Sequence, residues 1–182
     1  MGHQHRTARK YMNPLFCLPS SWEREIYRVH SKWHQETKQV TNTQSVTADG
    51  CKPTCRVLVA GQQFTGKNGP VYAPGISAQS TGARKINLQI AAIPPGAWSK
   101  AHKHAGHETA IYVLSGEAGM WYGEKLEDHL VAQTGDFVYV PADIPHLPYN
   151  LSDVDYCVAI VARTDPNEQE SVVLMPEFDN RK

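Results

Sequence analysis

The chain lacks a surplus of either charge: 18 Lys and Arg balance 18 Asp and Glu over 182 residues. With no cationic excess there is little counterion release to drive binding to a polyanion, so nucleic acid is excluded as a partner. Arg6, Arg9 and Lys10 form a short basic tail, read as solvated. No apolar run approaches the length of a membrane span, and the N-terminus carries no hydrophobic signal core. The expectation is a cytoplasmic protein with no membrane partner. Cysteine is also sparse. Cys17, Cys51, Cys55 and Cys157 are too few and too scattered for a disulfide scaffold. Cys51 and Cys55, on either side of Pro53, are read as free thiols, with a cross-link or metal pair as the alternative. Helical periodicity is missing between the β-rich segments, which argues against a parallel α/β fold.

What is present divides the chain in two. The 41% of hydrophobic residues suffices for one domain with a core and a short extra segment. Residues 1–50 are read as an N-terminal extension. Ser20 and Glu23 resemble a capping box, and Trp22, Ile26, Val29, Trp33 and Val40 follow at near-helical spacing, predicting an amphipathic helix over about 20–39. His30 and His34 share that spacing but have no third ligand in view. Residues 51–176 read as an all-β barrel and 177–182 as a frayed tail. Strands are expected at Arg56–Ala60, Val71–Ser77, Lys85–Ile93, Thr109–Leu114, Gly119–Tyr122, His129–Ala132, Phe137–Val140, Tyr156–Arg163 and Val172–Met175. Gly, Pro and Asn punctuate them, the pattern of a sandwich or small barrel. Asn87 and Gln89 alternate with Ile86, Leu88 and Ile90. The polar pair is expected to face solvent, with the pocket wall as the alternative.

One spaced cluster carries chemistry. Gly96 is followed by His102, His104 and Glu108, and a later segment holds Gly135, Pro141, His146 and Asn150. Histidines one residue apart on an extended segment point the same way. Glu108 lies an even number of positions beyond His104 and shares that face if the strand stays regular. His146, from a later strand, closes a set of three imidazoles and one carboxylate, a plausible first-row metal site. His107, of opposite parity, is a weaker rival donor.

These residues resemble the two signature motifs of the cupins. The first, G-x5-H-x-H-x3,4-E-x6-G, is matched by Gly96, His102, His104 and Glu108, with seven residues in place of six between Glu108 and Gly116. The second, G-x5-P-x-G-x2-H-x3-N, is matched by Gly135, Pro141, His146 and Asn150, with Asp143 at the middle glycine. Asp tolerates left-handed turn geometry better than most residues. With a four-residue spacer the acidic ligand would fall at Thr109, which offers no carboxylate, so Glu108 is assigned the role and a bulge before Gly116 absorbs the extra residue. The resemblance implies a double-stranded β-helix (a jelly-roll barrel) over roughly residues 55–165, together with pairing into a homodimer.

Three neutral imidazoles and a carboxylate would leave a divalent ion with one net positive charge and two open positions of six. That favours Mn, Fe, Ni or Co and disfavours Zn, which four protein ligands would nearly saturate. The residual charge favours a small anionic chelator such as a hydroxy acid, keto acid, enediolate or catecholate. Trp98, Tyr112 and Leu114 share parity with the ligands and are expected to line the substrate pocket. The resemblance implies a metal-dependent enzyme. Glu117 and Tyr112 are the only base candidates, and the weakness of both tilts the reading toward an oxidoreductase of the oxygenase kind. A metal-dependent isomerase or lyase, and a non-enzymatic small-molecule binding module, are the alternatives.

Overall fold

The computed structural model describes residues 54–169 and 171–181. The helix predicted over 20–39 lies outside them, as does Cys51. Within them the chain is almost entirely antiparallel strand. The strands are β1 (Phe64–Thr65), β2 (Val71–Ile76), β3 (Asn87–Ile93), β4 (His102–His104), β5 (Thr109–Ser115) and β6 (Glu117–Tyr122). They continue as β7 (Asp128–Gln133), β8 (Phe137–Val140), β9 (His146–Asn150), β10 (Cys157–Arg163) and β11 (Val172–Leu174). A one-turn helix, α1 (Ala78–Thr81), follows β2, capped by Ser77 and ended by Gly82 in the left-handed conformation.

Two sheets share the strands. One has the order β1-β2-β3-β10-β5-β8, the other β11-β4-β9-β6-β7. Successive elements repeatedly change sheet, as the chain does between β4 and β5, and this is the expected double-stranded β-helix. Both faces of the first sheet are apolar. Its inner face carries Ala91, Ala159, Val161, Ile111 and Val113 toward a shared cavity. Its outer face carries Leu88, Tyr112, Phe137 and Tyr139, with Phe137 82% and Tyr139 61% exposed. On the far side of the second sheet, buried Ala101, Leu126 and Leu147 pack with Trp98, Trp121, Met175 and Phe178.

Three local expectations need correction. Arg56–Ala60 forms no strand, and Val57 and Val59 lie exposed, because no neighbouring strand pairs with this segment among the described residues. β4 and β9 are missing from the expected strand list, although their histidines were placed on extended chain, because His-Lys-His and His-Leu-Pro-Tyr-Asn carry a weak β signal. The sheet supplies the pairing that propensity does not. The tail is not frayed: Pro176–Arg181 is a 3-10 helix. Phe178 joins the outer cluster, and the Asp179 carboxylate accepts a hydrogen bond from the Ala101 amide at 3.0 Å. The terminus thereby braces the residue just before His102.

Candidate metal centre

β4 is three residues long, and its alternation sends His102 and His104 to the inner face with Lys103 between them. β9 pairs antiparallel with β4 and sets His146 directly opposite His102. The ring centroids stand 5.1 Å (His102–His104), 4.2 Å (His102–His146) and 5.3 Å (His104–His146) apart. One nitrogen from each ring lies within 4.8 Å of the others, and all three residues are buried.

Burial is the leading influence on all three. It drives His102 and His104 far below the ordinary histidine value, with neighbouring positive charge acting the same way. His146 falls to about 4, burial outweighing the opposing hydrogen bond to Ile144. The rings are therefore neutral at pH 7 and keep a lone pair for a metal. Backbone carbonyls set the tautomers of His102 and His146. Nδ1 of His102 lies 2.7 Å from the Lys100 oxygen and Nδ1 of His146 lies 2.9 Å from the Ile144 oxygen. Each Nδ1–H donates outward, so Nε2 is the free base, the arrangement usual for metal-binding histidines. Nε2 of His102 accepts from the Asn68 amide at 3.0 Å. Nδ1 of His104 is buried with no partner. This donor set suits a first-row divalent ion.

The imidazoles open on a cavity of about 90 Å³ between the sheets. Its wall is largely aliphatic, from residues such as Ile93, Val113, Met120 and Val161. Among the described residues no carboxylate lines it. The lining does hold Asn68, Tyr72, Thr109 and Arg163, polar groups the sequence reading missed. Arg163 had one available signal, its parity with Cys157, Ala159 and Val161 on a single strand. Asn68 had none, since the turn before β2 decides where it reaches, and Tyr72 had only its strand parity, which does not say which face is inward. Cys157 also lines the cavity, and burial pushes its thiol up to about 11, so it remains protonated.

A cupin-domain family model matches residues 89–162. Among solved structures, oxalate decarboxylase from Bacillus subtilis is similar at 20% identity and a TM-score of 0.53, over 63% of this chain and 30% of that one. The formate complex of Lactobacillus farciminis oxalate decarboxylase is similar at 18% identity and a TM-score of 0.53, over 64% of this chain and 34% of that one. The chain thus spans about a third of those decarboxylases' length, and at this identity the likeness concerns the fold. No curated protein matches the sequence.

The cupin motifs can now be read against the coordinates. In the second motif Asp143 adopts φ +63°, the left-handed geometry that its replacement of glycine requires, and its carboxylate accepts from the Gly106 amide at 3.2 Å. Asn150 is buried and donates to the carbonyls of Ile93, Pro94 and Asp155, tying the β3–β4 loop to the β9–β10 loop at one end of the barrel. The first motif departs from expectation at its acidic member. Glu108 is exposed and stands outside the histidine group. Its carboxylate accepts from the Tyr139 hydroxyl at 2.7 Å on the outer wall. The cause is local: Ala105 and Gly106 form a turn, with Gly106 at φ +68°, as the chain leaves one sheet for the other. Strand parity does not carry through a turn. It restarts at Thr109, which is buried, so Thr109, Ile111 and Val113 face inward.

The same reset moves the expected pocket residues. Tyr112 lies on the outer face against Phe137, with ring centroids 4.7 Å apart, and Leu114 packs against the outer cluster of Ala92 and Val158. Trp98 stacks on Tyr149 at 4.0 Å, on the outer side of the second sheet. None of Trp98, Tyr112 and Leu114 lines the cavity. Asn87 and Gln89, expected in solvent, are buried on the inner side of β3. Glu117 is exposed and cannot serve the cavity as a base. The argument against zinc also lapses, since it counted four protein donors. Three histidines leave that ion an open position.

Proposed function

We propose that the cupin domain binds one divalent first-row transition metal on His102, His104 and His146, and is an enzyme acting on a small anionic, oxygen-rich metabolite. The observation that carries this reading is the convergence of three buried neutral imidazoles on a cavity that no carboxylate lines among the described residues. Three neutral donors leave the full double charge on the ion, which favours an anionic chelating ligand. Such an ion would supply a Lewis-acid or redox centre. The chain's own residues would exclude water, through the aliphatic wall, and orient the ligand through Thr109, Tyr72 and Arg163.

Oxygenase chemistry is the preferred subclass. Isomerase and lyase mechanisms need a base near the substrate, and both residues named for that role, Glu117 and Tyr112, stand outside the cavity. Homodimerisation in the cytoplasm is part of the same proposal. The exposed Leu88, Phe137 and Tyr139 on one outer sheet face support the pairing. The test begins with elemental analysis of purified protein, where about one ion per chain is expected. Oxygen uptake with hydroxy acids, keto acids and catechols is then compared with anaerobic isomerisation and decarboxylation. Stoichiometric metal with ligand binding but no turnover would replace the enzyme with a binding module. Absence of any metal affinity would end both readings.

A further inference from the structure

The first sheet aligns three polar residues in one row across its inner face. Register pairs Asn87 with Arg163 across β3 and β10, and Arg163 with Thr109 across β10 and β5. Arg163 is only 4% exposed and lines the cavity that the histidines share. Its Nε donates to the Thr109 hydroxyl at 3.4 Å, a long bond, and its Nη1 is buried with no partner. Both side-chain amide atoms of Asn87, and both of Gln89 one step along the strand, are also buried without partners. The nearest acid along the chain, Asp165, is committed elsewhere: its carboxylate accepts from the amides of Asn167 and Ser171.

A buried guanidinium with an open N–H needs an anion, because burial leaves its charge without water. Among the described residues, Tyr72 hydrogen-bonds the guanidinium and Asp165 acts on it through space, but neither partners Nη1. Under the four-residue spacing of the first cupin motif, Thr109 occupies the place of the acidic residue, so this cavity puts a cation beside the position where the motif puts a carboxylate. Guanidinium donors match the geometry of a carboxylate.

We infer that Arg163 is a recognition residue for the carboxylate of a small organic acid, which it holds in the cavity facing the three histidines. Thr109 and Asn87 flank Arg163 in the sheet register. The volume limits the ligand: at about 10–15 Å³ per water-sized sphere, the cavity accepts roughly six to nine non-hydrogen atoms, metal included. That fits a short acid bearing a second oxygen donor, such as a hydroxyl or keto group, for the far end. The far-end contact rests on the metal reading of the preceding subsection. The Arg163 contact does not.

The experiment titrates the full-length protein with acetate and glycolate, and with their neutral isosteres acetamide and glycolamide, by calorimetry. It is run on chelator-treated protein and again on manganese-loaded protein. Acetate should bind the metal-free protein at least tenfold more tightly than acetamide. Arg163→Met should abolish that preference while the metal content after loading stays at the native level. Thr109→Glu places an internal carboxylate beside the guanidinium and keeps the cation. It should weaken acetate at least tenfold without loss of metal, and it decides the matter if Arg163→Met does not fold. Equal binding of acetate and acetamide, or an acetate preference that survives both substitutions, would overturn the inference. If manganese fails to load while the acetate preference holds in the chelated protein, the metal proposal falls and the Arg163 assignment stands.

Discussion

Acidification should destabilise the metal-free protein steeply, and the histidine cluster sets the size of the effect. His146 drops to about 4 from its ordinary 6.5, and His102 and His104 are driven lower still. Between those folded values and 6.5, the unfolded chain binds protons that the native chain refuses. Stability is therefore present above the unfolded value and is lost as pH falls. At pH 5 each buried imidazole withdraws about 2 kcal/mol relative to pH 7.5, so three remove about 6 kcal/mol. That is comparable with the whole stability of an ordinary domain, roughly 5–15 kcal/mol. The local slope near pH 5 approaches three protons, about 4 kcal/mol per pH unit. Urea unfolding of chelator-treated protein, followed by far-UV circular dichroism at pH 7.5, 6.5, 5.5 and 5.0, measures it directly. The triple variant His102→Gln, His104→Gln, His146→Gln separates this contribution from that of histidines elsewhere. A difference of less than one proton between the native and triple-variant slopes would refute the claim that the three rings are held neutral.

Glu108→Gln should leave metal stoichiometry unchanged, since that carboxylate sits on Tyr139 at the outer wall. Loss of metal in this variant, read by elemental analysis, would restore Glu108 as a ligand. His104→Ala should abolish stoichiometric metal and retain the far-UV β signal, because the barrel holds its shape through two hydrogen-bonded sheets. Collapse of both together would contradict a preformed site. Asp179→Ala should cost about 1–2 kcal/mol in urea unfolding, by removing a charge-assisted bond to the Ala101 amide. It should also weaken metal binding, as Ala101 precedes His102. A neutral result would make the terminal 3-10 helix dispensable.

Much of the barrel was legible because antiparallel strands with turn residues between them announce themselves locally. β8 was anticipated residue for residue, and β2, β3, β7 and β10 within two residues at either end. The histidines were legible for the same reason: one-residue spacing on an extended segment guarantees a shared side, whatever surrounds it. The second motif added His146, which the fold sets opposite His102. The turn at Ala105 and Gly106 breaks the parity that put Glu108, Tyr112 and Leu114 at the site. Parity along a strand says which residues share a face but not which face is inward, and both faces of the first sheet are apolar. Hence Asn87 and Gln89 were assigned to solvent, the reverse of their buried places in the fold.

Local chemistry therefore determined the strand content, the turns and the identity of the imidazole donors, since each depends on neighbours a few residues away. Tertiary structure alone decided the fourth corner of the site. The turn at Ala105 and Gly106 rotates Glu108 outward and Thr109 inward, and the passage of β10 between β3 and β5 brings Arg163 into the cavity from 54 residues away. No pattern within a short window reports such an encounter, because it depends on which strand lies beside which and how the sheets close around the space between them.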